Sequence, residues 1–164
     1  MSIGFLYSPQ NVPGTDAFVR SFEAAANTLR VRLVFVEVRS ADDFEEAFAR
    51  IASTSDALYV SSEPLLLNNR QALVGLAARY RIPATFPSGQ FVVAGGLVSL
   101  GTNFPEAFQQ AGAYLGRVLN GEKPENLPVM QVTKVELVIN MKTAKALGLT
   151  IPPTLLARAD ELVE

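Results

Sequence analysis

The sequence predicts an α/β fold built on a parallel, Rossmann-like sheet. Three observations carry this. Short apolar runs alternate with helix-period segments through the first half of the chain. The runs are close to continuously apolar, as strands covered on both faces are. Polar turn clusters follow each run, which suits right-handed strand–helix–strand crossovers. At 164 residues the chain is long enough for one domain with a real core.

The elements follow in order. Ile3 to Tyr7 reads as a buried strand and Ser8 to Gly14 as a turn cluster. Thr15 or Asp16 caps a helix in which Phe18, Val19, Phe22, Ala25, Ala26 and Leu29 recur at helical spacing. Val31 to Val38 is a second strand. Ser40, with Asp43 three residues on, opens a helix that runs to about Ile51. Asp56 to Val60 is a third strand, and a single helix over Leu67–Tyr80 follows. Ala84 to Phe86 is a fourth strand, ended by Pro87-Ser88-Gly89. Phe91–Ala94 and Leu97–Leu100 read as a pair of strands around the Gly95-Gly96 break. Asn103, Pro105 and Glu106 make a strong helix start, and that helix runs to about Leu119, with Asn120-Gly121 as its stop. Val135 to Asn140 is a further strand and Lys142 to Leu147 a short helix. Pro152-Pro153 begins a last helix to the C-terminus.

Composition removes many functions. There is no His and no Cys. Disulfides, thiol nucleophiles, Cys/His zinc sites and every mechanism with a histidine base are excluded. The net charge is −2 with no basic block, so nucleic acid is not expected as a partner. No run approaches the roughly 20 apolar residues of a membrane span. The apolar share is 49% with a mean hydropathy of +0.22, which suits a chain that covers part of its surface with a partner. The N-terminus lacks the basic region and cleavage site of a signal peptide. It reads as a strand already inside the fold, of a cytosolic protein or of something larger.

Motifs for chemistry are missing as well. No GxxxxGK[ST] occurs, and no GxGxxG follows the first strand. A phospho-receiver would need carboxylates at the ends of the first and third strands, where Ser8 and Ser61-Ser62 stand. A nucleophilic serine has no histidine, and no lysine precedes Lys123. Asp42 and Asp43 read as charges complementing a helix N-terminus. No catalytic residue, metal ligand or cofactor is therefore assigned.

Open parallel sheets bind ligands outside the carboxyl ends of their strands. That singles out hydrogen-bonding groups at one edge: Ser8, Asn11, Ser61, Ser62, Glu63 and Ser88, with Gln10 nearby. Two readings of these groups stand side by side. They hold a small polar ligand, or they are there because turns need Ser and Asn.

The second half carries a resemblance. Phe91-Val92-Val93-Ala94-Gly95-Gly96-Leu97-Val98-Ser99-Leu100-Gly101, Leu119 to Val129 (LNGEKPENLPV), Thr133 to Asn140 and Lys142 to Pro153 (KTAKALGLTIPP) resemble the ABC-transporter substrate-binding proteins of the TrpX-like family. Leu100 stands where an aromatic residue is common in that family. The resemblance implies a type I periplasmic-binding-protein fold of two lobes, of which this chain matches the second half. Residues 1–86 and 130–164 would form the second lobe. Residues 87–129 would be a crossover segment, a strand and a helix given to the first lobe. The function implied is solute binding for an ABC importer without catalysis, in the periplasm or otherwise outside the cytoplasm. The solute would be a small polar metabolite such as an amino acid, and the partner an ABC permease. A ligand-sensing or dimerisation module of a regulatory protein is the alternative on the same fold. An orphaned crossover segment leaves uncovered apolar surface, so a homodimer through residues 91–119 is expected.

Overall fold

The computed structural model describes residues 1–9, 15–129 and 135–164, and for 15–18 the backbone. Seven strands form one sheet in the order β2-β1-β3-β4-β5-β6-β7. Its first half is β1 (Ser2–Tyr7), β2 (Arg32–Glu37), β3 (Ala57–Val60) and β4 (Ala84–Phe86), all parallel. Phe5 is the register centre, aligned with Phe35 on one side and Tyr59 on the other. Helix α1 (Thr15–Leu29) links β1 to β2, and α2 (Phe44–Thr54), after a short 3-10 turn, links β2 to β3.

Both faces of this half are covered, as the unbroken apolar strands require. Leu6, Leu58, Val60 and Phe86 pack with Phe44, Phe48 and Ile51 of α2 and with Leu73 of the next helix pair. On the opposite face the Phe5 ring lies 4.7 Å from Phe22 of α1, 5.0 Å from Tyr59 and 5.2 Å from Phe35. Such ring pairs add to plain burial through their quadrupoles.

Capping follows the sequence closely. Asp43 accepts hydrogen bonds from the backbone N–H of Arg39 at 2.7 Å and of Ser40 at 2.9 Å. These bonds hold its carboxyl below the ordinary carboxylate range. The Asn103 Oδ1 accepts from the Glu106 N–H at 3.0 Å and starts α6 (Phe104–Leu119) as expected.

Three segments depart from the sequence reading. The helix after β3 is two, α3 (Pro64–Asn68) and α4 (Arg70–Arg79). Asn69 breaks them by donating its side-chain N–H to the Leu65 carbonyl at 2.8 Å. Phe91 to Ala94 is not a strand. Its residues lie in α5 (Gly89–Val93), started by extended Ser88 and burying Phe91 and Val92. Five residues are too few for a helical period to show. The C-terminal helix stops early: α8 covers Pro153–Leu156, and β7 (Glu161–Val163) then pairs parallel with β6 (Val135–Asn140). Asp160 locks that pairing, accepting from the Leu137 N–H at 2.8 Å and donating its own N–H to the Leu137 carbonyl at 2.9 Å. Helix α7 (Met141–Leu147) follows β6 directly, capped by Asn140, whose Oδ1 accepts from Thr143 N–H at 2.9 Å.

Strand β5 (Val98–Thr102) joins the two halves. Val98 and Ser99 align with β4, whereas the whole strand runs antiparallel to β6, from Val98 opposite Ile139 to Thr102 opposite Val135. Helix α6, which follows, buries none of its residues.

Helices α1 and α4 both end in an arginine with left-handed backbone, Arg30 (φ 55) and Arg81 (φ 54). In each case the next residue's N–H reaches back: Val31 to the Ala26 carbonyl and Ile82 to the Ala77 carbonyl. Glycine is the usual residue at this helix end. Arg30→Gly is expected to raise stability by about 0.5–1 kcal/mol, read as a higher urea midpoint at unchanged slope. An unchanged or lowered midpoint contradicts this.

Candidate functional site

The carboxyl ends of β1, β3 and β4 lie side by side, strands being about 4.8 Å apart. Each ends in a serine. The Ser61 N–H donates to the Leu6 carbonyl at 3.1 Å, which sets the ends of β3 and β1 level. The Ser61 hydroxyl is fully buried. Its single proton has two acceptors, the Leu6 carbonyl at 2.9 Å and the Glu63 carboxylate. Glu63 is thereby held at the start of α3, half-buried, in extended backbone. Ser88, 5% exposed, starts α5.

Ser8 is the informative member. It is 2% exposed, and its hydroxyl has no hydrogen-bond partner among the described residues. A buried unpaired hydroxyl costs about 1–3 kcal/mol. At the end of a parallel strand, an oxygen supplied by a ligand would remove that cost. Ser99 has a second such hydroxyl, but it sits within the β5 ladder rather than at the edge.

The structure thus groups Ser8, Ser61, Glu63 and Ser88 at one edge. Ser62 is exposed beside them, and Asn11 and Gln10 lie outside the described residues. Tyr59 was not anticipated. Burial first, and the Glu63 charge second, push its phenol above the ordinary tyrosine range. Alternation along β3 places Tyr59 on the same side as Ser61, which was the available signal. Asn103 and Glu136 were also missed. The Asn103 Nδ2 donates to Glu136 Oε1 at 3.2 Å. Both, with Thr102, line a cavity of about 200 Å³ that reaches Ser88. A larger cavity, about 500 Å³, lies at the other end of the strands, away from the serines.

What the arrangement can do is limited by its residue types. Hydroxyls and one carboxylate can hold a polar solute and accept from an ammonium group. Among the described residues no cluster of three or more Asp and Glu side chains could hold a metal ion. No helix among them is long and apolar enough to cross a membrane.

Comparison with known proteins gives the family and the fold. The family model described as ABC transporter substrate binding protein matches residues 1–163. The chain belongs to the ABC transporter substrate-binding protein family. A conserved domain protein from Vibrio cholerae O1 biovar El Tor superposes with a TM-score of 0.85 at 27% identity, over 98% of this chain and 54% of that one. A Streptococcus pneumoniae ABC domain in complex with L-Trp superposes with the same TM-score at 26% identity, over 99% of this chain and 56% of that one. The tyrosine-binding protein of Clostridioides difficile (strain R20291) is 24% identical over 147 residues, 90% of this chain and 42% of the relative. The chain therefore spans about half the length of these relatives.

Beside the serine edge, β5 passes very close to the β4–α5 turn. A Cβ at Gly101 would stand 1.9 Å from the Pro87 carbonyl oxygen, which is backbone and has little room to yield. Gly101→Ala is expected to destabilise the chain by about 2–3 kcal/mol, read in urea unfolding. Wild-type stability in that variant would show that β5 does not pass so close to Pro87.

Proposed function

We propose that this chain is the second lobe of a solute-binding protein that delivers a small polar solute, an α-amino acid, to an ABC permease without chemistry. The supporting observation is the unpartnered Ser8 hydroxyl beside the Ser61–Glu63 pair. Glu63 would take the ammonium group, and Ser8 and Ser88 the carboxylate. The ligands of two relatives, L-Trp and tyrosine, make an aromatic amino acid the first solute to try. Such a protein works outside the cytoplasm, beside its permease. Catalysis is not part of this reading, since neither His nor Cys is present to act on a bound solute. One lobe makes half of the contacts, so affinity for this chain alone is in the millimolar range or weaker.

Titration of the 164-residue chain with L-Trp and L-Tyr, followed by amide chemical shifts, tests this. Shifts should cluster at Ser8, Ser61, Glu63 and Ser88. Ser8→Ala should weaken them without lowering thermal stability, because the hydroxyl has no partner to lose among the described residues. Amino-acid binding that leaves these four amides unmoved overturns the assignment.

The division into lobes belongs to the same proposal. Residues 1–86 and 130–164 form the second lobe, and 87–129 cross toward the first. Helix α6 favours this, since Phe108 (74% exposed) and Leu119 (78%) stand uncovered. In this chain we infer that α6 self-associates with a second copy. Phe91 and Val92, once expected in that contact, are buried under their own fold, so the contact narrows to Phe104–Leu119. Light scattering at micromolar concentration should give a dimer that Phe108→Glu with Leu115→Glu returns to monomer. A wild-type monomer refutes self-association and leaves the solute assignment standing.

A further inference from the structure

The cavity of about 500 Å³ lies at the amino ends of β4 and β5, opposite the serine edge. Its size is that of ordinary small-molecule sites, roughly 300–1,000 Å³. Val74 and Ala77 of α4, Ile82, Leu97 and Leu147 give it apolar walls. Those walls are tied together. Thr143 Oγ1 donates to the Gly95 carbonyl at 2.9 Å, and Asn140 Nδ2 donates to the Val92 carbonyl at 3.2 Å. The α5–β5 turn is thus pinned to α7, and the cavity stands preformed.

Two cations line it, Arg81 and Lys142. The Arg81 guanidinium reaches from the end of α4 to α7, donating to the Ala146 carbonyl at 3.3 Å. Lys142 lies one turn before Ala146 on the same face of α7. Among the described residues neither is in an ion pair. Glu164, the last residue of the sequence, is the one acidic residue in the lining, and its exposed side-chain and terminal carboxylates bring two negative charges to the two cations. Arg81 also occupies a left-handed position that glycine fills more cheaply, and strain of this kind is a pointer to function. Arg30 shows the same strain and lines a cavity of about 640 Å³ whose walls, Ser2, Arg32, Thr54 and Asp56 among them, are polar, so the strain supports the reading only together with the apolar walls and Lys142.

We propose that this cavity is a second ligand site, separate from the serine edge. It takes a small monocarboxylate with an apolar body, the carboxylate between Arg81 and Lys142 and the body against Val74, Ile82 and Leu97. Arginine suits a carboxylate because its fork of N–H donors matches the two oxygens.

The test is a titration of the 164-residue chain with hexanoate, and in parallel with hexanamide, followed by amide shifts. Hexanoate should move amides over 78–82, 95–97 and 142–147 and leave Ser8, Ser61 and Ser88 unmoved. Arg81→Gln and Lys142→Gln should each weaken it about fivefold or more, and hexanamide should bind at least as weakly. Ala146→Trp, at an exposed lining position, should abolish the response while thermal unfolding stays cooperative. Equal binding of hexanoate and hexanamide overturns the proposal. So does a hexanoate response confined to the serine edge, or no response, or one indifferent to both Arg81→Gln and Ala146→Trp.

Discussion

The antiparallel pairing of β5 with β6 is the constraint on which the rest depends. On one side of it stand four parallel strands with helices on both faces, a unit that the local sequence can build by itself. On the other side stand β6, α7 and β7, separated from it in the chain by α6 and the loop that follows. Five aligned residue pairs, Val98–Ile139 through Thr102–Val135, bring these parts into one sheet. Only the first two residues of β5 also touch β4. The remaining three extend past the sheet with β6 as their sole partner strand, and α6 starts from their end. A strand that belongs to a sheet at one end and to a two-stranded ribbon at the other is what a chain needs if it is to leave a folded unit and return to it. Gly101 sits at the point where this ribbon passes the Pro87 carbonyl, and it is tolerated because it has no side chain.

The two ends of the sheet have acquired different chemistry through that geometry. At the carboxyl ends of β1, β3 and β4 the exit from the strand places a buried or half-buried oxygen: Ser8, Ser61 with Glu63, and Ser88. At the amino ends of β4 and β5 a glycine pair lets the chain turn sharply, α7 packs back on the turn, and a cavity lined by Arg81 and Lys142 results. Both ends have groups for holding a solute, which is the common theme of the family to which the chain belongs.

Much of the fold and part of the site were legible in the residues. The apolar runs of β1 through β4 and the periodic faces of α1 and α2 show because strand and helix periods are local properties. The caps at Asp43 and Asn103 show for the same reason, since a cap joins residues three apart. The serines at the strand ends follow from chain order once a parallel sheet is recognised. The segments that misled are those settled by distant partners. Glu161–Val163 has apolar residues that suit a helix, but β6 offers it an open edge and Asp160 fastens it there. Phe91 and Val92 read equally well as strand. They became a helix because burying the Phe91 ring and the Val92 branches against β5 and β6 needs them on one side of a short turn of chain.

The sequence by itself determined the class of the sheet, the order of its first four strands, the edge where polar groups collect and the absence of His and Cys. These are consequences of local periodicity and composition. The tertiary structure alone decided that Ser8 has no hydrogen-bond partner among the described residues while Ser61 is doubly engaged, and that Tyr59 feels the Glu63 charge. It also decided that Arg81 and Lys142 share a cavity. The reason is that a side chain's burial and partners depend on strands and helices brought together from residues far apart in the chain, and no local pattern records which of them will meet.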